Sequence, residues 1–292
     1  MAGLAAPQRR HPLATKKRVV VVGAAGYIAS QLVPQFRDKY DLVTVDITDG
    51  TRAGDTVPGL HIADLLDTDL ESHRELFRGA DAIVHCGFRG SASASYGDDG
   101  KFDAEMDNVR MARNVFELAQ MEGVSRVVVA SSNHAADWYE PLLHSGGMDV
   151  VAPDTFPLSD NLYGWAKAVY EHLGFVYATG KLGSTLEVVM VRIGAPRPIL
   201  LERFVGGDPA RYKRDLGAWI SPRDMRQLFE KSIDTPDIRD EHGVPFQIFY
   251  GVSDNARGFW SIVNARAVID YTPEDDSERE YAADIASFLH GS

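Results

Sequence analysis

The chain has 292 residues, 45% of them apolar and 25% charged, a length and composition able to bury a sizeable core and unlike those of a disordered or fibrous protein. Acids outnumber bases 42 to 30, and the formal charge of -12 repels phosphate backbones and anionic lipid heads, so neither nucleic acid nor a membrane is an expected partner. A single cysteine, Cys86, rules out an internal disulfide framework and a thiolate zinc site, and it fits a reducing compartment.

The first sixteen residues carry Pro7, Pro12 and two short basic clusters but no apolar stretch of signal-peptide length, so 1–16 reads as a flexible leader of a cytoplasmic chain. Strand and helix patterns then alternate. The β-branched run over 18–22, closed by Gly23, is the pattern of a strand covered on both faces. Residues 27–37 set Ile28, Leu32, Val33 and Phe36 at helical spacing, and 41–45 give a second strand ending at Asp46. There follow a strand near 60–63, a helix over 70–77, a strand over 82–85, a long helix within 101–122 and a strand over 126–130. After Ser132 the pattern loosens through Pro141, Gly146, Gly147, Pro153 and Pro157, which predicts a loop able to act as a lid, before a helix over 163–178. A sixth strand over 186–191 runs into Arg192, Ile193 and Gly194. This alternation predicts an α/β protein: a doubly wound parallel Rossmann sheet over 17–194. Residues 195–292, with short apolar segments such as 245–250, predict a small mixed C-terminal substrate lobe, some of its segments returning to the first domain.

The turn GAAGYIA over 23–29 sits between the first strand and its helix, where Gly23 and Gly26 let the backbone approach a pyrophosphate on the helix N-terminus, lined by Tyr27 and Ile28. The third position is Ala29 rather than glycine, and an ordinary glycine turn stays open as an alternative. Asp46 stands twenty residues after Gly26, where a carboxylate accepts from both adenosine ribose hydroxyls and repels a 2'-phosphate, which favours NAD over NADP. Its plainer alternative is a cap or turn acid before Gly50.

Tyr163 and Lys167, four residues apart on a helix, lie on one face. An ammonium beside a phenol, together with an oxidised nicotinamide, favours the phenolate, so Tyr163 can take a proton from a substrate hydroxyl while Lys167 reaches the nicotinamide ribose. A pair of surface residues on an exposed helix is the alternative.

Gly23-x-x-Gly26, Asp46, Ser131 with Ser132 after the fifth strand, and Tyr163-x-x-x-Lys167, in this order over about 18–195, resemble the extended short-chain dehydrogenase/reductase superfamily. The resemblance implies that Ser132 binds the reacting oxygen beside Tyr163 and that Asn108 supports the lysine. It also implies that Asp64 and Leu65 contact adenine and that Cys86, Gly87 and Ile193 line the cofactor, Cys86 as a packing residue rather than a nucleophile. A homo-oligomer, dimer or larger, and no metal are further implications.

SSNH over 131–134, VRIG over 191–194, WISPRD over 219–224 and YGVSDN over 250–255 with Trp260 are similar to the uronate dehydrogenases, which oxidise C1 of a hexuronic acid to a lactone. That similarity implies that Arg214, five positions before Trp219, clamps a sugar carboxylate with its guanidinium fork, and that Asn133 and His134 contact sugar hydroxyls. A solvated basic loop remains the other reading of Arg214, and a hydrogen-bonded wall residue that of His134. The chain departs from the pattern at Ala195, where a substrate-contacting serine is usual, around Arg89 and Ser91, and in the longer loop over 135–162. Expected, therefore, is an NAD-dependent dehydrogenase of a free anionic hexose, a uronate or a sulfonated or phosphorylated sugar. Two alternatives stand beside it: a nucleotide-sugar epimerase or dehydratase that keeps its NAD bound, and a redox sensor, in which loss of Tyr163 or Lys167 would be expected.

Overall fold

The computed structural model describes residues 16–51, 53–90 and 99–289; Ser91 and all but the last residue of the expected leader lie outside these. Strands β1 (Arg18–Val22), β2 (Asp41–Asp46) and β3 (Leu60–Ile62) follow one another, with helix α1 (Ala29–Lys39) between the first two. A 3-10 turn, Leu70–His73, leads into α2 (Arg74–Phe77), then β4 (Ala82–His85), α3 (Asp99–Glu122) and β5 (Arg126–Ser132). A 3-10 segment, Asn133–Tyr139, continues into α4 (Glu140–His144), followed by α5 (Leu162–Ala178) and β6 (Glu187–Ile193). The last part holds α6 (Pro209–Ala218), α7 (Pro222–Asp234), β7 (Phe246–Gly251), α8 (Val263–Ile269), α9 (Ser277–Glu280) and α10 (Ala282–Leu289).

All seven strands are parallel, in the order β3-β2-β1-β4-β5-β6-β7. The unbroken valine runs follow from this architecture, because each sheet face carries its own helix layer and successive side chains alternate between two cores. Val19, Val21, Val84, Val128 and Val191 pack on one face with Phe36 of α1 and Leu228 and Phe229 of α7. Val20, Val22, Ile83, Val127 and Met190 pack on the other with Val115 and Phe116 of α3 and Tyr170 and Tyr177 of α5. The chain leaves β1 toward β2 and β3 and then crosses back to β4 on the opposite side. The carboxyl ends of β1 and β4 therefore flank the switch point where α/β sheets bind ligands.

Two expectations need correction. Residues 245–250 do not belong to a separate mixed lobe: β7 pairs with β6 from Val188↔Phe246 to Ile193↔Gly251 and closes the sheet. What remains outside is helical, with a small core of Ile199, Tyr212, Leu216, Trp219 and Ile285. Nor is the stretch after Ser132 a loose lid. Its first part is the 3-10 segment and α4, capped by the Ser132 side chain, which accepts from the His134 amide. Among the described residues no helix is long and apolar enough to cross a membrane.

Candidate active site

A cleft of about 970 Å3, at the upper end of the roughly 300–1,000 Å3 usual for ligand sites, opens over the carboxyl ends of the strands. At its floor the backbone leaves β1 through Gly23 at φ +74, a conformation that favours glycine. A Cβ there would stand 2.5 Å from the Gly87 nitrogen, so two strand ends touch main chain to main chain. The Ala25 amide donates to Asp46 Oδ2 at 2.9 Å, and the Ile47 amide to Asp46 Oδ1 at 2.7 Å. These bonds fix the carboxylate at the end of β2 on the cleft wall, leaving oxygen lone pairs for further donors. Asp64 and Leu65 line the same wall, the Leu65 carbonyl held by Asn114 Nδ2 at 2.8 Å. Tyr27, Ile28, Cys86 and Ile193 line it as well, and Ala29 is wholly buried at the start of α1. Burial pushes the Cys86 thiol up to about 12 despite the nearby Lys167 charge, which leaves it a neutral packing group.

The cradle fits NAD. Side-chain-free backbone meets the α1 N-terminus where a pyrophosphate needs close approach, and a fixed carboxylate waits for ribose hydroxyls. In Asp46→Asn an oxygen acceptor survives while the charge goes. We expect kcat/KM for NAD to fall about tenfold, as for loss of a charge-assisted hydrogen bond, and that for NADP to rise. Steady-state kinetics with both cofactors checks this, and an unchanged NADP value would remove Asp46 from the selection.

The proton-handling side chains come from α5 and the end of β5. The Asn161 side chain caps α5, accepting from the Gly164 amide at 2.9 Å, and the first turn presents Tyr163 to the cleft. Its ring stands edge-on to Phe88, at 5.5 Å, and to His134, at 5.7 Å. One turn on, Lys167 is 5% exposed; its Nζ donates to the Ala130 carbonyl at 2.8 Å and lies 5.4 Å from the Tyr163 ring centre. Burial by itself favours the neutral amine, but the pull of Tyr170, Tyr163 and Glu105 prevails, so the ammonium stays charged. The same burial, with that charge beside it, pushes His85 down to about 3 and keeps it neutral.

Ser132, at the end of β5, lines the cleft beside Tyr163. Gly164 explains how β5 and α5 come so close: a Cβ on it would lie 2.0 Å from the His134 carbonyl oxygen, so no other residue fits after Tyr163 without moving the 3-10 segment. His134 also faces the cleft, its Nδ1 2.7 Å from Asp137 Oδ2.

Three expected site residues sit elsewhere. Asn133 is wholly buried beneath the cleft with its Nδ2 unpartnered. Asn108 makes no bond to Lys167; its amide clamps residue 89, accepting from the Arg89 nitrogen at 2.7 Å and donating to the Arg89 carbonyl at 3.0 Å, and it donates to Glu105 at 3.1 Å. Arg214 lies off the cleft and is already engaged. Its Nη2 donates to Glu140 at 2.8 Å, its Nε to both Glu140 oxygens at 3.1 Å, and its Nη1 to Asp215 at 3.2 Å, with Trp260 5.4 Å away. The basic side chains on the cleft wall besides Lys167 and His134 are instead Arg89 and Arg197, paired with Asp107 and Asp215.

Sequence reasoning also missed a buried ion pair directly behind the site. Arg192, with no exposed surface, donates to Glu171 through Nε at 2.9 Å and Nη2 at 2.8 Å, and through Nη1 to the Tyr250 hydroxyl at 2.9 Å; Ser131 donates to the same carboxylate at 2.6 Å. An arginine inside an apolar strand was the available signal, since buried guanidinium demands a partner.

The model of the NAD dependent epimerase/dehydratase family matches residues 19–194, the sheet through β6 together with the Tyr163 and Lys167 pair. An NAD-dependent glucose-6-phosphate dehydrogenase of Haloferax volcanii is 30% identical over 270 residues, 89% of this chain and 94% of that one. An L-arabinose 1-dehydrogenase (NAD(P)(+)) of the same organism is 29% identical, over 89% of this chain and 97% of its own. Among solved structures, a mutant uronate dehydrogenase from Agrobacterium tumefaciens complexed with NAD shares the fold with a TM-score of 0.69 at 24% identity, covering 92% of this chain and 89% of that one. On the extent of the family match, the glycine turn, the acid after β2 and the tyrosine and lysine of α5, the chain belongs to the NAD-dependent epimerase/dehydratase family.

Proposed function

We propose that this protein is an NAD-dependent sugar dehydrogenase that oxidises C1 of a free, anionic hexose, a uronate or a sulfonated or phosphorylated sugar, to its lactone. The observation that carries the reading is the meeting of Tyr163, Ser132 and charged Lys167 in the cleft that also holds Asp46 and the glycine turn. The named relatives, dehydrogenases of glucose 6-phosphate and of L-arabinose, support sugar oxidation in general. Asp46, Gly23 and Lys167 would hold NAD, which when bound supplies the two-electron acceptor for C1. Ser132 holds the C1 oxygen, and Tyr163 takes its proton, the buried Lys167 charge stabilising the phenolate that receives it. Arg89 and Arg197 at the cleft wall are cations for an acidic tail. The same reading places the enzyme in the cytoplasm as a homo-oligomer, a dimer or larger.

One observation favours a second reading, a neutral aldose. The guanidinium that would clamp a carboxylate is satisfied by Glu140 and Asp215. In Glu140→Gln that anionic competitor is gone. We expect kcat/KM on a hexuronate to rise about tenfold, the scale of one charge-assisted hydrogen bond, with less than a twofold change on a neutral aldose. The test of the function itself is NADH release with uronates, hexose phosphates, sulfonated hexoses and neutral aldoses. No release with any of them, together with turnover of a nucleotide sugar, would mean an epimerase or dehydratase instead.

A further inference from the structure

A single carboxylate links the sugar-facing wall to the helix that carries the proton acceptor. Asp137 Oδ2 accepts from His134 Nδ1 at 2.7 Å and from Asn161 Nδ2 at 2.8 Å. Asn161 is the cap of α5, its own oxygen accepting from the Gly164 amide, and Gly164 is pressed against the His134 carbonyl. The Asp137 side chain is 10% exposed while that of His134 is 41% exposed on the cleft, so the carboxylate lies behind the ring. Burial works against ionisation of Asp137, but its bonds to His134 and Asn161 outweigh it and hold the carboxyl below its usual range. An ionised carboxylate only accepts, so Nδ1 must carry the ring proton, and a neutral imidazole is left with a bare lone pair on Nε2.

We propose that Asp137 is a positioning residue: it fixes His134 as the tautomer whose Nε2 accepts a sugar hydroxyl, and it ties that ring to the capped first turn bearing Tyr163. Asp137 touches neither cofactor nor sugar and acts through His134. The kinetic part rests on the dehydrogenase reading above; the tautomer does not.

Two measurements separate them. In nitrogen-15 spectra of histidine-labelled, NAD-bound enzyme, the His134 signals, identified by their loss in His134→Gln, are expected to show the proton on Nδ1, and in Asp137→Ala to move toward the Nε2-protonated form. In kinetics with the sugar that wild type oxidises, Asp137→Ala is expected to lower kcat/KM about tenfold to a hundredfold, mainly through KM, as for loss of two hydrogen bonds to a charged group. NAD affinity should stay within twofold. Asp137→Asn keeps an acceptor oxygen and should recover most of the loss; it serves as the readout if the alanine variant does not fold. In a His134→Gln background Asp137→Ala should cost little more, because the two act as one unit. A wild-type proton on Nε2, or losses that simply add in the double variant, would overturn the proposal. Absence of any sugar oxidation by wild type would overturn the dehydrogenase reading, while the nitrogen-15 spectra would still decide the tautomer that Asp137 imposes.

Discussion

Tyr163→Phe is expected to lower kcat by about 10²–10⁴-fold, the share general acid-base catalysis commonly supplies, and to leave NAD binding within about twofold. The ring that remains keeps its edge contacts with Phe88 and His134, and Lys167 keeps its bond to the Ala130 carbonyl, so only the hydroxyl is removed. Cofactor affinity by fluorescence titration and turnover by NADH formation separate the two effects. A variant that retains a tenth of wild-type turnover would show that another group receives the proton. Loss of NAD binding in step with activity would instead give the ring a part in holding the cofactor.

Arg192→Met should be the most damaging single change to stability, costing about 3–5 kcal/mol. The substitution strands Glu171 in the interior with only the Ser131 hydroxyl to satisfy it, and it removes the donor to the Tyr250 oxygen. For a chain of this length the loss corresponds to a fall in Tm of roughly 10 °C. The double variant Arg192→Met with Glu171→Leu should recover most of it, because an apolar pair of similar volume leaves no isolated charge. Thermal melts of the two proteins check this, and a single variant within 1 kcal/mol of wild type would mean the pair is not buried as described.

The parts of the fold legible in the sequence were those whose chemistry is local. Strands β1, β4 and β5 are continuous β-branched runs because both sheet faces are covered, and α1 shows its stripe because one side meets the sheet. The glycine turn, Asp46 and the spacing of Tyr163 and Lys167 are short-range patterns with a direct geometric meaning. What was not legible depends on partners far away along the chain. Strand β7 includes half-buried Gln247 at the sheet edge, so its residues do not say which strand they join. The 3-10 segment after Ser132 has no period of its own and is held by side-chain bonds such as that of Asp137. A guanidinium fork at Arg214 announces a carboxylate, but not that the carboxylate is Glu140, from a different helix. Asn108 was rightly singled out as polar on an otherwise packed helix, yet its bonds to the backbone of residue 89 follow from how α3 sits against the end of β4.

The contact at Gly164 has a consequence for how such an enzyme can change. With the His134 carbonyl against the first turn of α5, the proton acceptor and the inner wall of the cleft form one unyielding block, and a shift of either is a shift of both. New preferences among sugars must then be tuned at the outer rim, by exchanging residues such as Arg89, Arg197 and Glu140, while the reaction centre is inherited unaltered.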